Sequence, residues 1–126
     1  MNAMAVLAVS AGAALGACLR WILSASLNAI QPNLPLGTLL ANLGGGYAIG
    51  LCVGFFSANP DLSPELRLFV VTGFLGGLTT FSTFSAEAMN LIQKGDWAWA
   101  FAHTAVHLLG SILCCFAGFA TWRALH

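Results

Sequence analysis

Thr79, Thr80, Ser82, Thr83 and Ser85 carry hydroxyls close together along the chain, around Phe81 and Phe84 and just after Gly76-Gly77. Hydroxyls donate and accept hydrogen bonds without carrying charge, and phenylalanine edges are partially positive. No nucleophile–base pair accompanies them, so the chemistry on offer is ion binding and passage, not bond making. The run is poor helix material. Each glycine lowers helical tendency by roughly 1 kcal/mol, and the β-branched threonines compete for backbone hydrogen bonds. It sits inside an apolar segment long enough to cross a bilayer, where freed backbone groups must be satisfied by protein, water or an ion. Broken spans of this kind mark ion and substrate sites in transport proteins. The competing reading is a kinked helix packed through its glycines. A phosphate loop is excluded, because no lysine follows the glycines.

Other polar groups lie in apolar surroundings. Thr38, Asn42, Gly46, Gly50 and Gly54 recur every four residues and form one helical stripe. The glycines make a close-packing face, and Asn42 is either a structural interhelical hydrogen bond or a neutral donor lining a path. Arg20 either snorkels or joins a structural ion pair, or acts electrostatically at a pore mouth. Glu87, the acid inside a span, is a functional candidate by default, with capping or pairing with Arg20 as the other reading. His103, His107 and Ser111 are spaced by four. Two histidines at that spacing could bind a metal, yet no third or fourth ligand is near in sequence, so they are read as a polar interhelical face.

The elements that must position these residues are membrane spans. The chain is 59% hydrophobic and 6% charged, with zero formal net charge. Soluble domains carry about 25% charged residues, and the absence of a basic excess gives no pointer to nucleic acid. A membrane helix needs about 20 residues. Four spans in a single domain over residues 1–126 are predicted at about 3–27, 36–56, 66–93 and 97–122. The first lacks a basic leading region and is read as a span, not a cleavable signal. Its small residues Ser10, Ala13, Gly16 and Ala17 suit a close helix contact. The third would measure about 40 Å as one straight helix, beyond the roughly 30 Å hydrocarbon core, which fits a segment broken midway. Pro32 and Pro35 mark a turn. Ser63-Pro64 looks like a helix start, and Asp96 is placed to cap the last helix. Cys18, Cys52, Cys114 and Cys115 lack metal spacing and read as packing residues.

Four spans put both termini and the 57–65 connection on one side. Arg67 and Arg123 flank that side, and Arg20 and Lys94 flank the other. The positive-inside rule needs a bias, and this chain has none. It is therefore expected to insert in both orientations and to pair antiparallel.

The Gly76-Gly77-Leu78-Thr79-Thr80-Phe81-Ser82-Thr83-Phe84-Ser85 run closely resembles the signature of the Fluc (CrcB) fluoride channels. Gly37-Thr38-Leu39-Leu40-Ala41-Asn42, Arg20-Trp21, the length and the balanced charge are similar to theirs as well. The resemblance covers essentially the whole chain. It implies an all-α integral protein of the bacterial inner membrane and a dual-topology antiparallel homodimer with two fluoride pathways. Fluoride would leave the cell passively, which confers resistance. It further implies that Phe81 and Phe84 line the pores, that Asn42 with Thr38 nearby is the pore asparagine, and that Thr80, Ser82, Thr83 and Ser111 form a hydroxyl track. A central structural sodium would be held by backbone carbonyls of Gly76 and Thr79. His107 stands where some relatives have serine. Neutral donors at several weak sites suit conduction of a tightly hydrated anion, whereas an unpaired cation would hold it too tightly. Two rival readings are a small proton-coupled multidrug-type exporter and a non-transporting assembly subunit. The first wants a carboxylate in the first span, and none lies between Ala3 and Leu27.

Overall fold

Long apolar runs leave the backbone no partner but its own ladder, and helix is the outcome. The computed structural model describes residues 1–126. Helix α1 spans Ala3–Leu27 and ends in a 3-10 turn over Asn28–Ile30; α2 spans Leu36–Ala58. The third membrane segment is composite. It comprises α3 (Pro64–Arg67), a π-wound stretch (Leu68–Leu75), α4 (Gly76–Leu78) and α5 (Phe81–Gln93). Helix α6 spans Trp97–Leu125. The fold is all-α, with four stretches long and apolar enough to cross a membrane: Ala3–Ile30, Leu36–Ala58, Pro64–Gln93 and Trp97–Leu125.

Local signals explain most of the boundaries. Ser63 Oγ accepts from Leu66 N–H at 3.3 Å, with Pro64 in the first helical turn. Gly95 takes φ 79° between α5 and α6, a conformation that only glycine adopts cheaply. Asp96 departs from expectation. Its side chain makes no cap; its carbonyl instead accepts from Ala100 N–H at 2.8 Å.

Packing follows the small residues. α2 lies along α6, and α1 lies along the third segment. The expected stripe on α2 meets its partner in constant register: Asn42 faces His107, Gly46 meets Ser111, and Gly50 meets the Cys115 carbonyl. Residues four apart on two helices that run the same way therefore meet in step. A Cβ on Gly50 or Gly118 would run into facing backbone, Cys115 and Tyr47 respectively. On α1 the contact falls on Gly12 and Gly16, which abut the backbone of Phe69 and Phe74. The buried core is small, built on Ala41, Leu75 and Leu78. Large apolar side chains such as Leu7, Phe101 and Phe116 face outward, as a lipid solvent requires.

Candidate functional site

Thr79 (φ −82°, ψ 154°) and Thr80 (φ −148°, ψ 119°) are extended between α4 and α5. Gly76 is helical, at φ −63° and ψ −38°. The departure from helix therefore falls just after the glycines that sequence reasoning stressed. Asn42 holds it there. Its Oδ1 accepts from Thr80 N–H at 2.7 Å, and its Nδ2 donates to the Thr80 carbonyl at 3.1 Å. A side-chain amide thus pairs with one peptide unit as a neighbouring β-strand would. Thr80 also starts α5, with Oγ1 accepting from Thr83 N–H at 3.1 Å. Both changes divert N–H groups that a continuous helix would send four residues back. The Thr80 N–H no longer bonds the Gly76 carbonyl. The next carbonyl, of Gly77, accepts from Arg20 Nε at 3.1 Å.

Gly76 and Gly77 have different tasks. A Cβ on Gly77 would press on the Ala13 backbone at 2.5 Å, whereas one on Gly76 would meet only the Val71 carbonyl at 3.8 Å. Gly77 is there for close approach of α1, and Gly76 stands beside open space.

A cleft of about 470 Å³ opens beside this peptide. Asn42, Thr80, Phe81, Phe84, His107 and Ser111 line it, and Gly76 and Thr79 join its wall. The Phe81 and Phe84 rings lie 5.3 Å apart at 55°. Phe81 is 78% exposed on the single chain, so within one copy most of the ring beyond its Phe84 contact is uncovered. Of the hydroxyls, Ser82 Oγ is 3.3 Å from Thr80 Oγ1 and exposed, and Thr83 is partly buried. Neither they nor Thr38 line the cleft.

Thr38 belongs to a second cluster, set behind Phe84. It is fully buried, donates from Oγ1 to Glu87 Oε2 at 2.7 Å, and receives Asn28 Nδ2 at 3.3 Å. Glu87 Oε1 lies 2.9 Å from His103 Nε2. Glu87 therefore pairs with His103 and Thr38; Arg20, one of the partners considered for it, is bonded to Gly77. His103 was placed on a polar interhelical face, but its contact with Glu87 could not be read from sequence. Spacing by four linked His103 to His107, whereas nothing local links either to position 87. Asn28 gave no signal at all, because it lies in a turn outside every stripe.

Hydrogen-bond logic fixes the ring tautomers. The Thr80 pairing sets the Asn42 amide orientation, so its second N–H donates to His107 Nδ1 at 3.1 Å. His107 Nδ1 must accept, which puts the proton of a neutral ring on Nε2. His103 Nε2–H donates to the Glu87 carboxylate, leaving Nδ1 as the open atom. Both open atoms, His103 Nδ1 and His107 Nε2, are buried without a partner. One potential ligand atom from each of Glu87, His103 and His107 lies within 4.8 Å of the others. Glu87 is thus the third group that sequence spacing could not supply for a metal. The tautomers argue against that use, since Asn42 holds His107 with an N–H, not a lone pair, at its open end. Phe84 covers the cluster, parallel to His103 at 5.3 Å and 8°, and 5.1 Å from His107.

The chain is similar to known proteins over nearly its whole length. The family model described as CrcB-like protein, camphor resistance, matches residues 7–119. A Cupriavidus metallidurans protein named fluoride-specific ion channel FluC is 56% identical over 125 residues, 99% of each chain. Proteins of the same name from Pseudomonas putida and Nitrosospira multiformis are 59% and 53% identical. They cover 93% and 100% of this chain, and the matches span 92% and 100% of their own lengths.

Proposed function

The chain belongs to the CrcB family and is an integral inner-membrane protein, and from that premise we propose that it is a passive fluoride channel, not an enzyme. The observation that carries this is the Asn42–Thr80 pairing, which turns a membrane span open beside the cleft where Phe81 and Phe84 meet. Replacing the water around fluoride takes several donors of modest strength. Phenylalanine edges and the hydroxyls of Thr80 and Ser111 are neutral donors of that kind. Asn42 acts here mainly by shaping the path, because its amide donors are already engaged.

The functional unit is an antiparallel dimer with two pathways. The exposure of Phe81 and the open cleft support it, since a second copy would cover both. The balanced flanking charges, Arg67 and Arg123 against Arg20 and Lys94, support dual insertion. A structural sodium suits the same region. Hard cations take oxygen ligands, and the Gly76 carbonyl is released from its ladder partner, with Thr79 beside it. When bound there, sodium would offset the charge of passing anions.

Fluoride efflux from proteoliposomes, followed with a fluoride electrode, tests this reading. Rapid efflux that needs no proton gradient is expected. Efflux that stops without a proton gradient would indicate the coupled exporter, and none at all the assembly subunit. Orientation has its own test. Two lysines added to the 57–65 connection should force one orientation and lower activity in cells. Co-expression with a copy carrying extra lysines beside Lys94 should restore it. Full activity of the first variant alone would count against antiparallel pairing.

A further inference from the structure

The Glu87–His103–His107 cluster has a property that neutral pore donors lack: it can exchange a proton. We propose that His103 and His107 form a binding site that takes fluoride together with one proton, the proton residing on His103 Nδ1. This rests on the fluoride reading above. His103 is fully buried and His107 is 4% exposed. Their rings lie 4.5 Å apart at 39°, and each has one ring nitrogen without a partner. An anion accepts hydrogen bonds and offers none. The open His107 Nε2–H suits it. The open His103 Nδ1 suits it only when protonated, because a lone pair would face the anion.

Charge points the same way. The charged group facing His103 is Glu87 of α5; α2 presents Thr38 and Asn42, which do not titrate, and His107 is its neighbour on α6. With His103 neutral, an arriving fluoride would sit near the bare Glu87 carboxylate, a like-charge pair in a poorly solvated interior. A proton from water, added at His103 Nδ1, turns that carboxylate into half of an ion pair and supplies a second N–H. Glu87 already holds His103 by Nε2, so the incoming proton has only the open nitrogen to occupy. The parallel Phe84 ring at 5.3 Å is placed to stabilise the imidazolium by its π-face. Glu87, 14% exposed at its side chain, links the buried ring to the outside.

Linkage makes the consequence measurable. If fluoride and proton bind together, each tightens the other by the same factor. Fluoride affinity should then rise about tenfold for each pH unit lowered while free His103 is unprotonated. Purified dimer in weakly buffered detergent solution at pH 7.5 is titrated with sodium fluoride, and with sodium gluconate as control, while a pH dye reports proton uptake. In the wild type, uptake should saturate with fluoride alone, and the 15N resonances of His103 should move to those of a doubly protonated ring. His103→Gln keeps an N–H for Glu87 but cannot titrate, so its uptake should vanish and its fluoride affinity should become flat with pH. Fluoride binding to wild type without proton uptake would overturn the proposal. So would uptake that persists in His103→Gln and disappears in Glu87→Gln. The decisive readout is on the wild type, so a variant that fails to fold does not remove the test. A wild-type dimer that neither binds nor conducts fluoride at any pH would sink the channel reading itself.

Discussion

Asn42→Leu should lower fluoride efflux about a hundredfold in liposomes while leaving four inserted helices. The leucine is close in size and removes three hydrogen bonds: to Thr80 N–H, to the Thr80 carbonyl and to His107 Nδ1. Each buried group left unpaired costs about 1–3 kcal/mol, and no lipid group can replace the lost partner. The cheapest relaxation is for Thr80 N–H to return to the Gly76 carbonyl and for α4 to run on into α5. A bias of about 3 kcal/mol toward that straight helix leaves about one molecule in a hundred open. Asn42→Asp offers a contrast. It keeps an acceptor for Thr80 N–H, but it loses both donors and adds a charge beside the path. It should hold the break better than leucine and still conduct poorly. Efflux at the wild-type rate from the leucine variant would show that the Thr80 geometry is not needed for passage.

Phe81→Ile and Phe84→Ile should each cut efflux by about tenfold or more, and their stability effects should differ. Phe81 is 78% exposed and touches mainly Phe84. If it merely faced lipid, isoleucine would be harmless, so a flux defect without a melting defect assigns the ring to the path. An isoleucine has no partially positive edge to offer an anion. Phe84 stacks on His103 and touches His107. Its replacement should add a packing loss of about 1–2 kcal/mol, seen as earlier melting in detergent. Methionine, polarizable and flexible, should be the least damaging apolar exchange at either position. Gel filtration confirms that the variants keep the wild-type assembly. Wild-type flux in both isoleucine variants would return these rings to packing.

The sequence contained the spans in full view, because lipid imposes one constraint on every residue of a crossing segment and composition reports it directly. Helix α1 covers Ala3–Leu27 where a span at about 3–27 is expected; α2 and α6 run slightly past the expected 56 and 122, to Ala58 and Leu125, and the third segment begins at Pro64, not 66. Frayed ends carry weak local signals. The stripe through Asn42, Gly46 and Gly50 was also legible, since helical spacing alone puts residues four apart on one face. Of the Thr79–Ser85 run, which stands out by residue type, Thr79, Thr80, Phe81 and Phe84 reach the cleft, and Ser82, Thr83 and Ser85 do not. What the third dimension decided was pairing. Asn42 shares a face with Thr38 in sequence, yet they serve different clusters: one holds the Thr80 peptide, the other the Glu87 carboxylate. Arg20 and Glu87 looked like a pair by charge and separate onto Gly77 and His103. Within the run expected to break, the departure from helix falls at Thr79 and Thr80, because a weak helix former only permits a break, and a hydrogen-bonding partner on another helix chooses where it falls. Periodicity is a property of one segment and can be read from it; a contact between positions 42 and 80, or 87 and 103, depends on how segments cross, and no single segment encodes that.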